Sequence, residues 1–262
     1  MRIGKYTIDK PIATGAFGAV FLGHRIRDKT PVAIKINNSD SFNLIKHECN
    51  ILQYVSSRNV SCVPKIYHYG VHDGAFTMVM PYFEKSLTEV MEGADRDTRL
   101  RYLKQALHAI DYVHNRCVLH RDIKPENIRI TDNRLVLIDF GLSCFYASDD
   151  GPLPNKKQDC VVGSPMYMSH LVHMGNRPSI RDDLFSIAFV FAEFALGELP
   201  WEVEDEFDPI IPSKSNYHMA RAKTQFCEDV SGSNGGLSVI IGYIMKLQYG
   251  EEAMIERLLE FL

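Results

Sequence analysis

Strand-like and helix-like patterns are segregated along this chain, and that segregation limits the fold more than any other feature. Short β-branched or aromatic runs at residues 6–12, 19–22 and 31–36, separated by glycine or polar turns, predict an antiparallel sheet. Over residues 41–55 the spacing turns helical, with Ile45, Glu48 and Leu52 on one stripe and Ser39, Asp40 and Ser41 as candidate caps. A last strand at 77–80 leads through Pro81, Tyr82 and Phe83 toward a long amphipathic helix marked by Leu100, Leu103, Leu107 and Ile110. Strands grouped ahead of helices, instead of alternating with them, predict the α+β class. The expected layout is a small, mainly antiparallel β lobe with one helix at 1–80, a hinge at 81–84 and a larger helical lobe at 85–262.

A chain of 262 residues with 45% apolar content can bury a sizeable core in one domain or two joined lobes. A net charge of −4 excludes a dominant surface for nucleic acid or anionic lipid, so no direct nucleic-acid binding is expected. Six scattered cysteines, with no C-x-x-C pair, predict reduced thiols and an intracellular location, in cytoplasm or nucleus. The first residues lack the apolar core of a signal peptide. The longest apolar stretch, 184–199, is interrupted by Glu193 and Glu198 and predicts a buried helix, with no membrane association.

Two clusters carry the chemistry. His120-Arg121-Asp122-Ile123-Lys124-Pro125-Glu126-Asn127 is followed, twelve residues beyond Asn127, by Asp139-Phe140-Gly141. Phosphoryl transfer from a magnesium nucleotide asks a protein mainly for positioning and charge neutralisation. Asp122 suits the orientation of an attacking hydroxyl, and Lys124 would offset charge on the moving group. Asn127 and Asp139 supply one amide and one carboxylate oxygen, the donor type magnesium takes. Between the first two strands, the stretch from Ile12 to Val20 holds Gly15 and Gly18, which let backbone amides approach phosphates. In Val32-Ala33-Ile34-Lys35, strand alternation puts Ala33 and Lys35 on one face, a small residue to admit a base and an ammonium to reach phosphate. Glu48 interrupts an apolar helical stripe, so its burial would require a partner. Each piece alone also fits an ordinary turn or surface residue; the ordered set does not.

In that order the motifs resemble the eukaryotic-type protein kinases. Residues 163–169 (Gly-Ser-Pro-Met-Tyr-Met-Ser), 181–186 (Arg-Asp-Asp-Leu-Phe-Ser) and 196–201 (Leu-Gly-Glu-Leu-Pro-Trp) are similar to casein kinase I and the vaccinia-related kinases, as are Met78-Val79-Met80 and Ser86-Leu87. The resemblance implies a single catalytic domain over 1–262, ATP and Mg2+ as cofactors, and serine or threonine hydroxyls of proteins as acceptors. It assigns catalysis to Asp122, Lys124, Asn127 and Asp139, with Asn127 and Asp139 on the metal. Nucleotide binding falls to Ile12, Ala13, Gly15, Gly18, Val20, Ala33, Lys35 paired with Glu48, Met80 behind the adenine, and the backbone of Phe83. Ser164 would link the substrate-receiving segment to Asp122, and Asp183 would anchor the catalytic-loop backbone.

Departures from that pattern are specific. Ala13 replaces a loop glycine, and Arg129 stands where an apolar floor for adenine is usual, which requires its methylene stem to pack while the guanidinium finds solvent or a carboxylate. Met166 stands where casein kinase I has an arginine associated with a phosphate already on the substrate. The acidic run Glu202, Glu204, Asp205, Glu206 and Asp208 reads first as a solvated face; as a recognition surface it would attract basic substrates, whereas Lys156 and Lys157 would favour acidic or phosphorylated ones, and the sequence does not decide between them. Relatives in this branch are active without an activating kinase, and basal activity is expected. Two other readings are a small-molecule alcohol kinase, disfavoured by Arg121, Lys124 and residues 163–167, and a pseudokinase, supported only by Ala13 and Arg129. His170 and His173 are expected to be packing or surface histidines, and Cys144 is given no role.

Overall fold

The computed structural model describes residues 1–262 apart from 16–17, 38–41, 58–59, 204–206 and 234. Ser39, Asp40 and Ser41 among the cap candidates, and Glu204, Asp205 and Glu206 of the acidic run, therefore lie outside the described residues. In chain order the elements are β1 (Arg2–Ile3), β2 (Tyr6–Gly15), β3 (Gly18–Arg25), β4 (Pro31–Asn37), α1 (Phe42–Val55), β5 (His68–His72), β6 (Ala75–Pro81), β7 (Lys85–Ser86), α2 (Leu87–Met91) and α3 (Arg96–His114). They continue with β8 (Val118–Leu119), a short 3-10 turn (Pro125–Asn127), β9 (Ile128–Thr131), β10 (Arg134–Leu137), β11 (Cys144–Phe145), β12 (Ala147–Ser148) and β13 (Gly151–Pro152). Helices close the chain: α4 (His170–His173), α5 (Ile180–Leu196), α6 (Lys214–Ser231), α7 (Gly236–Ile244) and α8 (Ile255–Leu259).

The chain divides into two compact units, Met1–Lys85 with Arg129–Gly141, and Ser86–Ile128 with Leu142–Leu262. The sequence reading runs the helical lobe unbroken from residue 85, but the structure groups Arg129–Gly141 with the sheet. The reason is local bonding: the Leu137 amide donates to the Cys62 carbonyl, and Asp139 pairs with Lys35.

The first unit is built on a six-stranded sheet of order β1-β2-β3-β4-β6-β5, antiparallel throughout. Residues opposite one another on adjacent strands share a face. The rows Leu22–Ala33–Met80 and Val20–Lys35–Met78 therefore lie on one face. Ile34 and Val79 turn to the other, where they close a core with Ile3, Tyr6 and Val32. Helix α1 packs on β4 and β6, burying Ile45, Cys49, Leu52 and Val55 at helical spacing with Glu48 among them. The sequence reading places no strand at β5. That strand is the sheet edge, with exposed Tyr69 and Val71 flanking Gly70, so it lacks the apolar alternation of an inner strand.

The second unit is helical around α5, which is buried almost all round from Ile180 to Ala192, as a helix at the centre of a core must be. A capping box between Ser179 and Asp182 starts it, and Gly197 at φ 91° ends it, two residues short of the apolar run. Helices α3 and α7 pack on α5, and α6 packs on α4 and α7. The Trp201 indole meets Phe189 and Phe226 edge-on, with ring centroids 5.0 and 5.3 Å away. Among the described residues, no helix is long and apolar enough to cross a membrane. All six cysteines are free.

Candidate active site

Within the first unit, the expected nucleotide residues fall on the sheet and its single helix. Lys35 Nζ lies 2.7 Å from Glu48 Oε2 and 3.0 Å from Asp139 Oδ1. Burial would lower the lysine pKa, but the two carboxylates outweigh it and raise it, so the ammonium stays charged. Burial pushes the Glu48 carboxyl up, and the Lys35 charge works against that shift. A buried pair of this kind is maintained by its geometry, since either partner left alone would be an uncompensated charge. Asp139 takes a left-handed backbone at φ 63° and also accepts from the Gly141 amide at 3.3 Å, while 43% of its side chain stays exposed.

Ala33, Val20 and Met80 share the Lys35 face, with Met80 buried directly opposite Ala33. Ala13 pairs with Val20, and Gly15 with Gly18 at the end of the β2–β3 hairpin where the two strands are joined. Ile12 sits in an irregularity of that ladder and is exposed, as is Ala13. Gly18, at φ 142°, passes so close to the Ile36 carbonyl that no Cβ fits. Phe83 is half-buried beyond β6. Arg129 is half-buried between Ile128 and Ile130, which are buried.

In the second unit, the catalytic-loop candidates converge on one carboxylate. Asp122 is 8% exposed. Its Oδ1 accepts from Ser164 Oγ at 2.7 Å, and its Oδ2 accepts from Asn127 Nδ2 at 2.9 Å with Lys124 Nζ 3.0 Å away. Lys124 also donates to Ser164 Oγ at 3.1 Å. Asn127 spends its amide nitrogen on Asp122, on Oδ2 and on the backbone carbonyl at 2.8 Å, which leaves its amide oxygen as the group suited to a cation.

The loop is held from beneath by Asp183, a buried carboxylate in the first turn of α5. It accepts from the backbone amides of His120 at 2.8 Å and Arg121 at 2.9 Å, and it pairs with His114 Nε2 at 2.9 Å. Burial pushes its carboxyl up, but these donors hold it below the ordinary carboxylate value. The bonds fix Arg121 at φ 66°, a conformation rarely taken without glycine. Gly163, at φ 116°, approaches the Arg121 carbonyl too closely for any side chain. His114 was absent from the sequence reading, since a histidine at the end of an amphipathic helix carries no mark of a partner 69 positions away.

His170 packs edge-on against Phe185, and His173 is buried against Asn216. Cys144 is partly buried, and burial raises its pKa, so its thiol is not activated.

Comparison with known proteins agrees in one direction. The sequence model of a family described as "Protein kinase domain" matches residues 6–234. A probable casein kinase I homolog of Encephalitozoon cuniculi is 33% identical over 209 residues, spanning 76% of this chain and 65% of the relative. A second probable casein kinase I homolog from the same organism is 29% identical over 226 residues, 78% of this chain and 72% of the relative. This chain thus spans about two thirds of the length of the first of these relatives.

Proposed function

Because the chain belongs to the protein kinase family, with casein kinase I-like sequence, we propose that it transfers the γ-phosphate of Mg-ATP to serine and threonine hydroxyls of proteins. The observation that carries this reading is the Asp122 carboxylate, tied on one oxygen to Ser164 and on the other to Asn127 and Lys124. A carboxylate so fixed can orient a hydroxyl and accept its hydrogen bond, which is most of what a loose phosphoryl transfer asks of a base.

Each residue then has a task. Asp122 takes the hydrogen bond, and in the end the proton, of the substrate hydroxyl. Lys124 balances charge as the phosphoryl group moves. Lys35, held charged by Glu48, presents an ammonium to nucleotide phosphate on the same sheet face as Ala33 and Met80, which would flank the base with Val20, Ile12 and the Phe83 backbone. The glycine turn at Gly15 and Gly18, with Ala13, would cover the phosphates. Asn127 and Asp139 offer the oxygen donors that magnesium takes, and the ion when bound would neutralise phosphate charge. Lys124 follows the serine/threonine-kinase pattern, which favours an aliphatic hydroxyl as acceptor.

The test is transfer of labelled γ-phosphate from Mg-ATP to casein, to a basic histone-like protein and to the chain itself, beside Asp122→Asn. Transfer that disappears in Asp122→Asn is the expected result, and the preferred protein reports acidic or basic recognition. Nucleotide binding without transfer to any protein would overturn the reading.

A further inference from the structure

Helix α6 carries a lysine, Lys223, whose side chain is fully buried, and none of the described carboxylates forms an ion pair with it. Burial with no carboxylate beside it pushes the Lys223 pKa well below the ordinary lysine value, and what favours its charged form is geometry: all of its hydrogen-bonding capacity is used. Nζ donates to the Pro165 carbonyl at 2.5 Å and the Met168 carbonyl at 2.7 Å, and lies 3.2 Å from His173 Nε2. The third contact is a donation too. Asn216 Nδ2 bonds to the Asp208 and Ile210 carbonyls and to Ser213 Oγ, so the Asn216 carbonyl oxygen faces His173 Nδ1 at 2.8 Å. An oxygen there can only accept, so Nδ1 carries the ring proton and Nε2 offers a lone pair to Lys223; the Pro165 carbonyl, 3.3 Å from Nε2, then takes its hydrogen bond from Lys223 and none from the ring. Three ammonium protons thus meet three acceptors. The rings of Trp201 and Phe189 lie 5.3 and 5.6 Å from the charge.

All this holds one short stretch of chain. Trp201 Nε1 donates to the Met166 carbonyl at 2.9 Å, and the Tyr167 hydroxyl donates to Glu193 at 2.8 Å. Three carbonyls, at 165, 166 and 168, are therefore bonded to donors from α6 and Trp201. At the head of the same stretch, the Ser164 hydroxyl donates to Asp122. The groups around the ammonium are His173, with His170 beyond it on α4, and Cys227 one turn further along α6.

We propose that Lys223, together with Trp201, is a positioning residue that fixes the 164–168 segment in the shape that receives a protein substrate before Asp122, touching neither substrate nor nucleotide. The inference rests on the protein-kinase reading above and goes beyond it in naming what shapes the acceptor site. It also gives the expected basal activity a physical basis: the segment is held by donors built into the fold, with no added phosphate required.

The test uses the full chain as wild type, Lys223→Met and Trp201→Phe, the last keeping an aromatic ring against Phe189 and Phe226 while removing the indole N–H together with the five-membered ring that carries it. KM and kcat are measured for dephosphorylated casein and for ATP, beside acceptor-free ATP hydrolysis and a thermal melt. The expected result for Lys223→Met is a casein KM raised about tenfold, the cost of one charge-assisted hydrogen bond, with ATP KM and acceptor-free hydrolysis as in wild type. Trp201→Phe should show the same split with a smaller rise, and it decides alone if Lys223→Met fails to fold. An unchanged casein KM in either folded variant, or hydrolysis and transfer falling in parallel, would overturn the proposal. Wild-type chain that phosphorylates no protein would remove the premise and the proposal with it.

Discussion

Replacing Asp183 by asparagine changes one atom of a buried group, and the structure sets how much that should cost. The carboxylate accepts three hydrogen bonds, two from backbone amides and one from His114. An asparagine has one oxygen, so its NH2 must face at least one N–H. The less costly orientation keeps the oxygen toward His114 and His120 and abandons the Arg121 amide. A hydrogen bond to a charged group is worth about 1.5–3 kcal/mol, and leaving its buried donor unpaired adds a penalty of similar size. Arg121 also depends on that bond to keep its left-handed backbone, a conformation costing about 1–3 kcal/mol. Removing a buried charge brings no offsetting gain, because the Asp183 carboxyl is held below its ordinary pKa in spite of burial. Asp183→Asn should therefore destabilise the second unit by about 3–5 kcal/mol. At about 2–4 °C per kcal/mol for a protein of this size, that is roughly 10 °C in Tm. Urea unfolding at pH 7, followed by fluorescence of the single tryptophan Trp201, measures it directly. A loss below about 1 kcal/mol would refute the view that Asp183 holds the loop.

Three further outcomes follow from the same geometry. Ser164→Ala removes the donor on Asp122 Oδ1 and should lower kcat/KM about tenfold to a hundredfold, with ATP affinity measured separately and unchanged. Arg129→Leu puts an apolar side chain on the β9 face opposite Ile128 and Ile130 and should lower KM for ATP several-fold; an unchanged or higher value would show that the guanidinium serves the nucleotide. Burial and the nearby Lys223 charge push His173 down to about 4 from 6.5, so between those values the unfolded chain binds a proton that the folded chain refuses. Stability should be intact at neutral pH and fall by about 3 kcal/mol from this group as pH drops from 6.5 to 4; a flat denaturation midpoint across that range would contradict it.

The first unit was legible because its chemistry is written in two periods. Alternation alone puts Ala33 and Lys35 on one face, and the register confirms the row they share with Met80 and Met78. The Glu48 position follows from its place on the buried stripe of α1, a charge where an apolar residue would otherwise stand. What alternation could not supply was β5, because an edge strand is free to expose Tyr69 and Val71. Nor could it supply the grouping of Arg129–Gly141 with the sheet, which depends on a backbone bond from Leu137 to Cys62 and on the reach of Asp139 to Lys35. The Asp122 cluster was legible for a different reason: Asp122, Lys124 and Asn127 lie within six residues, so a single turn brings them together.

Lys223 shows where that kind of legibility ends. On α6 the buried positions run Ser215, Asn216, Met219, Ala220, Lys223, Phe226 and Cys227, so beyond the first turn the lysine interrupts an apolar stripe just as Glu48 does on α1. The interruption is visible in sequence and argues that the charge is buried and paired. For Glu48 the pairing search is short, because an opposite charge is available on an adjacent element. For Lys223 the partners are the Pro165 and Met168 carbonyls and a histidine lone pair, separated from it by 50–58 residues. A backbone carbonyl has no residue identity, so no pattern of residue types can point to it. A charge on an apolar stripe thus announces a buried partner in both units, and only in the first does the sequence also say which partner it is.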